Sequence, residues 1–461
     1  MFKRILIANR GEIAVRVFRA CRELDIEPVV VYSQADSEAL HVQLAEQAWC
    51  IGPARSADSY LNVDAILTVA QATGCDAIHP GYGFLSENAD FADACAQAGI
   101  AFIGPSGDVI RAMGNKAAAR KLMVEAGVPV VPGSDGAVDT AEEAKALADS
   151  IGYPVLIKAA AGGGGRGMRR VFEPDQLIPL FEEARSESVA CFGSGEMYLE
   201  KLILNPRHIE FQILADSQGH VIQLGDRDCS IQRRNQKLLE ESPSKALTPE
   251  LREKMGAAAV AAAKAAHYEN AGTIEFVLDQ EGNFYFIEMN TRIQVEHPVT
   301  ELVTGMDLVR EQIRIAAGLP LSRTQEEITL NGHAIECRIN AEDPANDFRP
   351  CPGKIDFVHL PGGCGVRVDT GLYTGYALPP YYDSLMAKLI VHAPTRLEAI
   401  RRMRRALEEL IIEGPANNTD LLHQIMHHPD FIRGNYNTGY LEANMDTLLA
   451  WSRSGEEDNQ A

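Results

Sequence analysis

The spacing of apolar and polar residues changes along the chain and marks out its elements. "RILIANR" (4–10) reads as a strand entering a tight turn at Gly11. Apolar residues then recur at helical spacing through "EIAVRVFRACREL", and "EPVVVYS" is again strand-like. That is a βαβ unit, and the alternation continues. "VDAILTVAQATG" and "NADFADACAQAG" have helical periods, while "DAIHP" and "IAFIGP" read as strands. A doubly wound parallel sheet is therefore predicted for residues 1–113.

A second region begins near "RAMGNKAAARKLMVEAGVPVVPG", whose helix is expected to end at Gly127, with Pro129 and Pro132 marking a linker. Residues 205–300 are strand-rich and interrupted by an Ala-rich helix over 253–267. "AAGLPLSRTQEEITLNG" (316–332) reads as a boundary. Beyond it "HAIECRI", "VRVDT" and "MAKLIVHA" are strand-like, and "TRLEAIRRMRRALEEL" is a helix with a charged outer face. The predicted organisation is 1–113, a central α+β region over 114–330, a mixed α/β region over 331–447, and a polar, frayed tail over 448–461.

Composition narrows the class. Of 461 residues, 46% are hydrophobic and 23% charged, as in a soluble globular protein. No apolar run approaches the roughly 18 residues of a membrane span, and the N-terminal apolar run reads as a strand rather than a signal peptide. The net charge of −21 argues against nucleic-acid binding. It leaves open an anionic small ligand, which feels local charge. Nine dispersed cysteines without metal-ligand spacing suit a reducing cytoplasm, as thiols filling the core.

"KAAAGGGGRGMRRV" satisfies G-x-G-x-x-G through Gly162, Gly164 and Gly167. A dinucleotide fingerprint needs a helix directly after the glycines, whereas "MRRVF" is strand-like. Strand, glycines, strand is a flap whose backbone N–H groups can close over phosphates. Lys158 precedes it and Lys116 follows "MGN"; either ammonium suits a polyphosphate.

In "IEMNTRIQVEH" (287–297), Glu288, Asn290, Arg292, Gln294 and Glu296 occupy every second position, one face of an extended chain. Upstream, "TIEFVL" and "NFYFIEMN" form a hairpin about "DQEG". Pairing Leu278 with Asn283 puts Glu275 opposite Phe286 and diagonal to Glu288. Glu275, Glu288 and Asn290 are hard oxygen ligands suited to Mg²⁺ or Mn²⁺. Three suffice, because Mg²⁺ shares waters and substrate phosphates. Elsewhere, His79 is expected to make a structural hydrogen bond, His427 and His428 to end a solvated helix, and Arg401–Arg405 to form a wet helix face.

Taken in order, "HPGYGFLSEN" (79–88), "GGGGRGM" (162–168), "NPRHIE" (205–210), "RDCSIQRRNQK" (227–237), "IEMNTRIQVEHPVTE" (287–301), "ECRINAEDP" (336–344) and "PPYYDSLMAKLI" (379–390) resemble the biotin carboxylases of the ATP-grasp superfamily over nearly the whole chain. The resemblance implies a central ATP-grasp fold with a mobile lid over about 131–203. It implies that ATP phosphorylates bicarbonate to carboxyphosphate, whose carboxyl passes to a ureido nitrogen of biotin. By position, Lys116, Lys158, Gly164 and Gly165 would hold ATP. Glu200, Lys201 and Ile203 would line the adenine pocket, with His208 near the ribose. Glu275, Glu288 and Asn290 would bind two Mg²⁺ or Mn²⁺ ions, and Lys237, Arg292 and Val295 bicarbonate. Glu296 resembles the general base and Arg338 the group stabilising the biotin enolate, while Tyr82, Gln294 and Arg338 would touch biotin. Asn235 departs from the pattern: many members carry His there, and Asn resembles some carboxylases of 2-oxo acids.

No "AMKM"-like biotinylation hairpin and no carboxyltransferase region are present in the sequence. The expected partner is thus a separate biotin carboxyl carrier protein or a biotinylated carboxyltransferase subunit, within an acetyl-CoA, pyruvate or other 2-oxo-acid carboxylase. The resemblance also implies a homodimer. The competing readings are another ATP-grasp ligase that makes an acyl phosphate for a nitrogen nucleophile, and a non-catalytic nucleotide-binding subunit.

Overall fold

Two sheets organise the chain, and the strand sequences explain why they differ. The computed structural model describes residues 1–159 and 167–458; of the side chains, Phe192 and those beyond 450 are not described. Gly164 and Gly165 lie outside the described residues.

The N-terminal sheet is parallel, in the order Gln47–Cys50, Glu27–Tyr32, Arg4–Ile7, Ala77–His79, Ala101–Phe102. Its central strands are apolar on both sides because both faces are covered. Ile5, Ile7 and Val30 pack with Ile13 and Val17 of the helix Gly11–Glu23. Leu6, Val29 and Val31 point the other way, against Ile66 and Phe91. The predicted doubly wound architecture is what forms.

The second sheet is antiparallel and eight-stranded, in the order Phe284–Asn290, Asn270–Leu278, Arg207–Ala215, Val221–Arg233, Gln236–Ser242, His333–Asn340, Leu385–Ala393, Val366–Thr370. It continues from the central region into the C-terminal one, because Gln236–Ser242 pairs with His333–Asn340. The helix Pro249–Ala265 covers one end through Met255, Ala259 and Ala262, packed against Phe211, Ile274 and Phe276. This helix starts before the expected residue 253, because Thr248 caps it by accepting from Leu251 N. The C-terminal helices Arg396–Glu409, Thr419–His427 and Tyr440–Asp458 cover the other end.

A small three-stranded sheet stands apart, in the order Met168–Val171, Val155–Ala159, Met197–Lys201. It pairs with the helices Ala141–Ile151 and Leu177–Phe192 to form a core of its own around Val155, Ile157, Phe181 and Leu199. The antiparallel pairing of Val155–Ala159 with Met168–Val171 fits the flap arrangement.

Several local expectations fail for identifiable reasons. The helix before Gly127 is two helices, Gly107–Gly114 and Lys116–Glu125, broken where Asn115 turns extended and caps the second by accepting from Ala118 N. The C-terminal segment is helical to Asp458 rather than frayed from 448. His428 is buried and accepts from Asp430 N, capping Pro429–Arg433, rather than lying in solvent. Arg402 and Arg404 are not merely a wet face: they donate to the carbonyls of His392 and Met426. Cys50, Cys191 and Cys364 are exposed rather than core-filling, and the cysteines are free thiols. His79 is buried and accepts from Gly81 N, as a structural histidine should. Among the described residues, no helix is long and apolar enough to cross a membrane.

Candidate functional site

The hairpin Asn270–Leu278 and Phe284–Asn290 builds one wall of a cleft of about 710 Å³. Its register differs from the expectation. Asp279 Oδ1 accepts from the amides of Glu281 and Asn283, which sets a turn that pairs Leu278 with Phe284 rather than Asn283. Ile287 is an extra, bulged residue, so Glu275 stands directly opposite Glu288 instead of diagonal to it. The bulge also reverses a face. Strict alternation would put Phe286 beside Glu288, yet Phe286 enters the core while Glu288 lines the cleft.

The strand stops at Asn290, so the alternation does not carry through to Glu296. Glu87 stops it by accepting from Thr291 N at 3.1 Å and Arg292 Nε at 2.8 Å. The chain then turns into the helix His297–Thr304. Arg292, Gln294, Val295 and Glu296 nonetheless all line the same cleft, delivered by a turn instead of a strand.

At the centre, Lys237 Nζ donates to Glu210 Oε2 at 2.6 Å, Glu275 Oε1 at 3.0 Å and Glu296 Oε1 at 2.6 Å. The other Glu296 oxygen accepts from Arg338 Nη2 at 2.9 Å, and Arg338 Nε donates to Glu240 at 2.6 Å. Beneath them the fully buried Arg227 joins Glu210, Gln212, Thr273, Gln294 and Thr300. Burial opposes the ionised form of Glu296, but Lys237, Arg338 and Arg227 outweigh it and hold its carboxyl well below the usual range. Burial likewise opposes the Lys237 charge, and the surrounding carboxylates keep it a firm cation. Arg292 reaches Asn290 Oδ1 at 3.0 Å as well as Glu87.

The expected metal ligands Glu275, Glu288 and Asn290 all line the cleft. Glu275 receives Lys237, Asn290, Gln294 and His208, the last at 2.7 Å. Burial disfavours its charge, but Lys237 and His208 keep it ionised. The Glu288 carboxylate, by contrast, makes no hydrogen bond or ion pair among the described residues. Burial, then the Glu275 charge, pushes its carboxyl up. Two facing carboxylates, one without an ion pair among the described residues, are a donor set that a hard divalent ion would complete.

Other predicted residues lie around this centre. His208 and Asn235 line the cleft; Arg234 and Asn235 form the two-residue hairpin loop with φ of 49° and 68°, a conformation Asn tolerates well. Lys116 begins its helix exposed, and its charge reaches Glu288. Lys158, Glu200, Lys201 and Ile203 do not line the cleft; they belong to the small sheet and its exit. Lys158 pairs with Glu200, while Lys201 Nζ is bound at 2.9 Å to each of the carbonyls of Gly152 and Tyr153. Tyr82 occupies a neighbouring groove with Glu12, Tyr381 and Asp383. Glu87, Glu210, Arg227 and Glu240 were missed as site residues, although the first three lie inside sequence stretches that carry the resemblance.

Comparison with known proteins agrees along the chain. Residues 1–110 match the family described as "Biotin carboxylase, N-terminal domain", 115–324 "Carbamoyl-phosphate synthase L chain, ATP binding domain", and 336–443 "Biotin carboxylase C-terminal domain". The chain is 60% identical to a biotin carboxylase of Nostoc over 96% of this chain and 99% of that one. It is 57% identical to a pyruvate carboxylase component of Methanothermobacter thermautotrophicus, covering 96% and 90%. A biotin carboxylase domain dimer of Hydrogenobacter thermophilus 2-oxoglutarate carboxylase, crystallised with MgADP, ADP and bicarbonate, superposes with a TM-score of 0.90 at 54% identity, covering 97% of this chain and 99% of that one.

Proposed function

Because the chain belongs to the biotin carboxylase family, we propose that its cleft performs the ATP-dependent carboxylation of biotin with bicarbonate, through carboxyphosphate. It is an ATP-dependent ligase. The observation that carries the reading is the clamp on Glu296, one oxygen on Lys237 and the other on Arg338, beside Arg292 and the facing Glu275 and Glu288. In our reading Lys116, Lys158 and the flap residues Gly164 and Gly165 grip the ATP phosphates. Glu200, Lys201 and Ile203 face the adenine and His208 the ribose.

Glu275, Glu288 and Asn290 would hold Mg²⁺ or Mn²⁺, which when bound neutralises phosphate charge. Arg292, Lys237 and the Val295 backbone orient bicarbonate for in-line attack on the terminal phosphorus. Glu296 accepts the bicarbonate proton. Lys237, Arg338 and Arg227 depress its basicity, so it suits that role only once substrate anions draw Lys237 away from it, which ties proton transfer to substrate arrival. Arg338 then stabilises the enolate of biotin, which Tyr82 and Gln294 orient. Biotin arrives on a separate carrier or a biotinylated carboxyltransferase subunit, and the chain works as a homodimer, as the dimeric 2-oxoglutarate carboxylase relative suggests.

The test is ADP release from ATP and bicarbonate, with and without free biotin. Stimulation by biotin is expected, and Arg292→Ala should lower turnover by about 10²–10³-fold. Biotin-independent turnover on an amine substrate, or an Arg292→Ala enzyme equal to the parent, would reverse this reading.

A further inference from the structure

Lys388 is a fully buried lysine outside the reaction centre. The strand Leu385–Ala393 sets it between Arg338 on one neighbouring strand and Asp369 on the other. Its Nζ donates to the Val295 carbonyl at 2.8 Å and lies 3.1 Å from Glu12 Oε1 and 3.9 Å from Asp369 Oδ2. Asp369 is already engaged twice by Arg367, so Glu12 and Val295 are the principal partners. Glu12, on the helix Gly11–Glu23, also accepts from the Tyr82 hydroxyl, and its second oxygen has no partner among the described residues. Burying an ammonium is costly, and an apolar residue would fill the same space without that cost.

The partners explain what the charge does. On the cleft side the side chains of the turn at 294–296 are held, Gln294 by Glu275 and Arg227, Glu296 by Lys237 and Arg338, while His297 Nδ1 meets the Gln294 carbonyl at 2.8 Å. Substrate binding must disturb some of those contacts. The bond from Lys388 grips the same turn by its backbone from behind, and reaches Tyr82 through Glu12.

We propose that Lys388 is a positioning residue for carboxylation, fixing the 294–296 turn and, through Glu12, the orientation of Tyr82, so that the bicarbonate and biotin ends of the site are held in mutual register. This rests on the function proposed above.

Steady-state ADP release by the full chain, with ATP, bicarbonate and free biotin varied in turn, tests it. Lys388→Met should raise KM for bicarbonate by about 10-fold or more and lower biotin-dependent kcat, with KM for ATP changed less than about two-fold. Lys388→Arg, which keeps the charge and donors, should recover part of the loss. The double variant Glu12→Gln with Lys388→Met removes the Glu12 charge together with its ion-pair partner; it should fold and keep the bicarbonate defect. Parental KM values for bicarbonate and biotin in a folded variant lacking Lys388 overturn the proposal. So does failure of both the Lys388→Met single and the double variant to fold, which would make Lys388 an ion-pair residue of the core alone. A parent enzyme without biotin-stimulated turnover overturns the functional reading itself, and this inference with it.

Discussion

At the scale of single residues, the interior is rich in charge that folding has matched. His41 shows the opposite case, a titratable group kept neutral. It is buried, near Val31 O, Asp36 and Arg10, and burial lowers its pKa from 6.5 to about 4. Between those values the unfolded chain binds a proton that the folded chain refuses. Stability is therefore retained above pH 6.5 and falls as pH drops toward 4, by roughly 2–3 kcal/mol. The urea midpoint should fall between pH 7 and 5, and His41→Gln should flatten that slope by about one proton; an unchanged slope would show that His41 carries no such linkage. What was legible at this scale was residue type. Glu288 and Asn290 are on one strand face as their spacing says, but Arg292, Gln294 and Glu296 reach the cleft through a turn. Glu87, more than two hundred positions away in sequence, sets that turn, and a local pattern carries no trace of it.

Elements were readable where one period governs them and misread where a single side chain interrupts it. The parallel strands, apolar on both faces, and the helix Arg396–Glu409 follow their patterns. The break at Asn115 and the bulge at Ile287 do not, because each depends on a cap or a cross-strand register rather than on hydrophobicity. Packing between elements gives a sharp test. A Cβ on Gly272, in the strand Asn270–Leu278, would come within 2.6 Å of the Tyr268 ring. Tyr268 is buried and its hydroxyl donates to Ala271 O at 2.8 Å, so it has no room to retreat. Gly272→Ala should destabilise by about 1–3 kcal/mol, seen as a lower urea midpoint at unchanged slope. A parental midpoint would mean that the ring moves freely.

For the whole molecule, the small sheet and its two helices carry a separate core. Their attachments include bonds from Phe286 N to Pro129 O at 2.8 Å and from Lys201 N to Pro132 O at 2.7 Å. If this unit closes as a body over ATP, the Lys158–Glu200 pair is a contact that nucleotide phosphates would compete for. A non-hydrolysable ATP analogue should protect residues 131–203 from limited proteolysis; equal cleavage with and without it would count against a closing lid. The sheet shared by the central and C-terminal regions has the contrary effect. A chain truncated near residue 330 would strip Gln236–Ser242 of its neighbour His333–Asn340 and leave a raw edge of unpaired amides and carbonyls. Such a fragment should clump by joining edge to edge, so attempts to make the nucleotide-binding half alone would have to graft on a substitute strand.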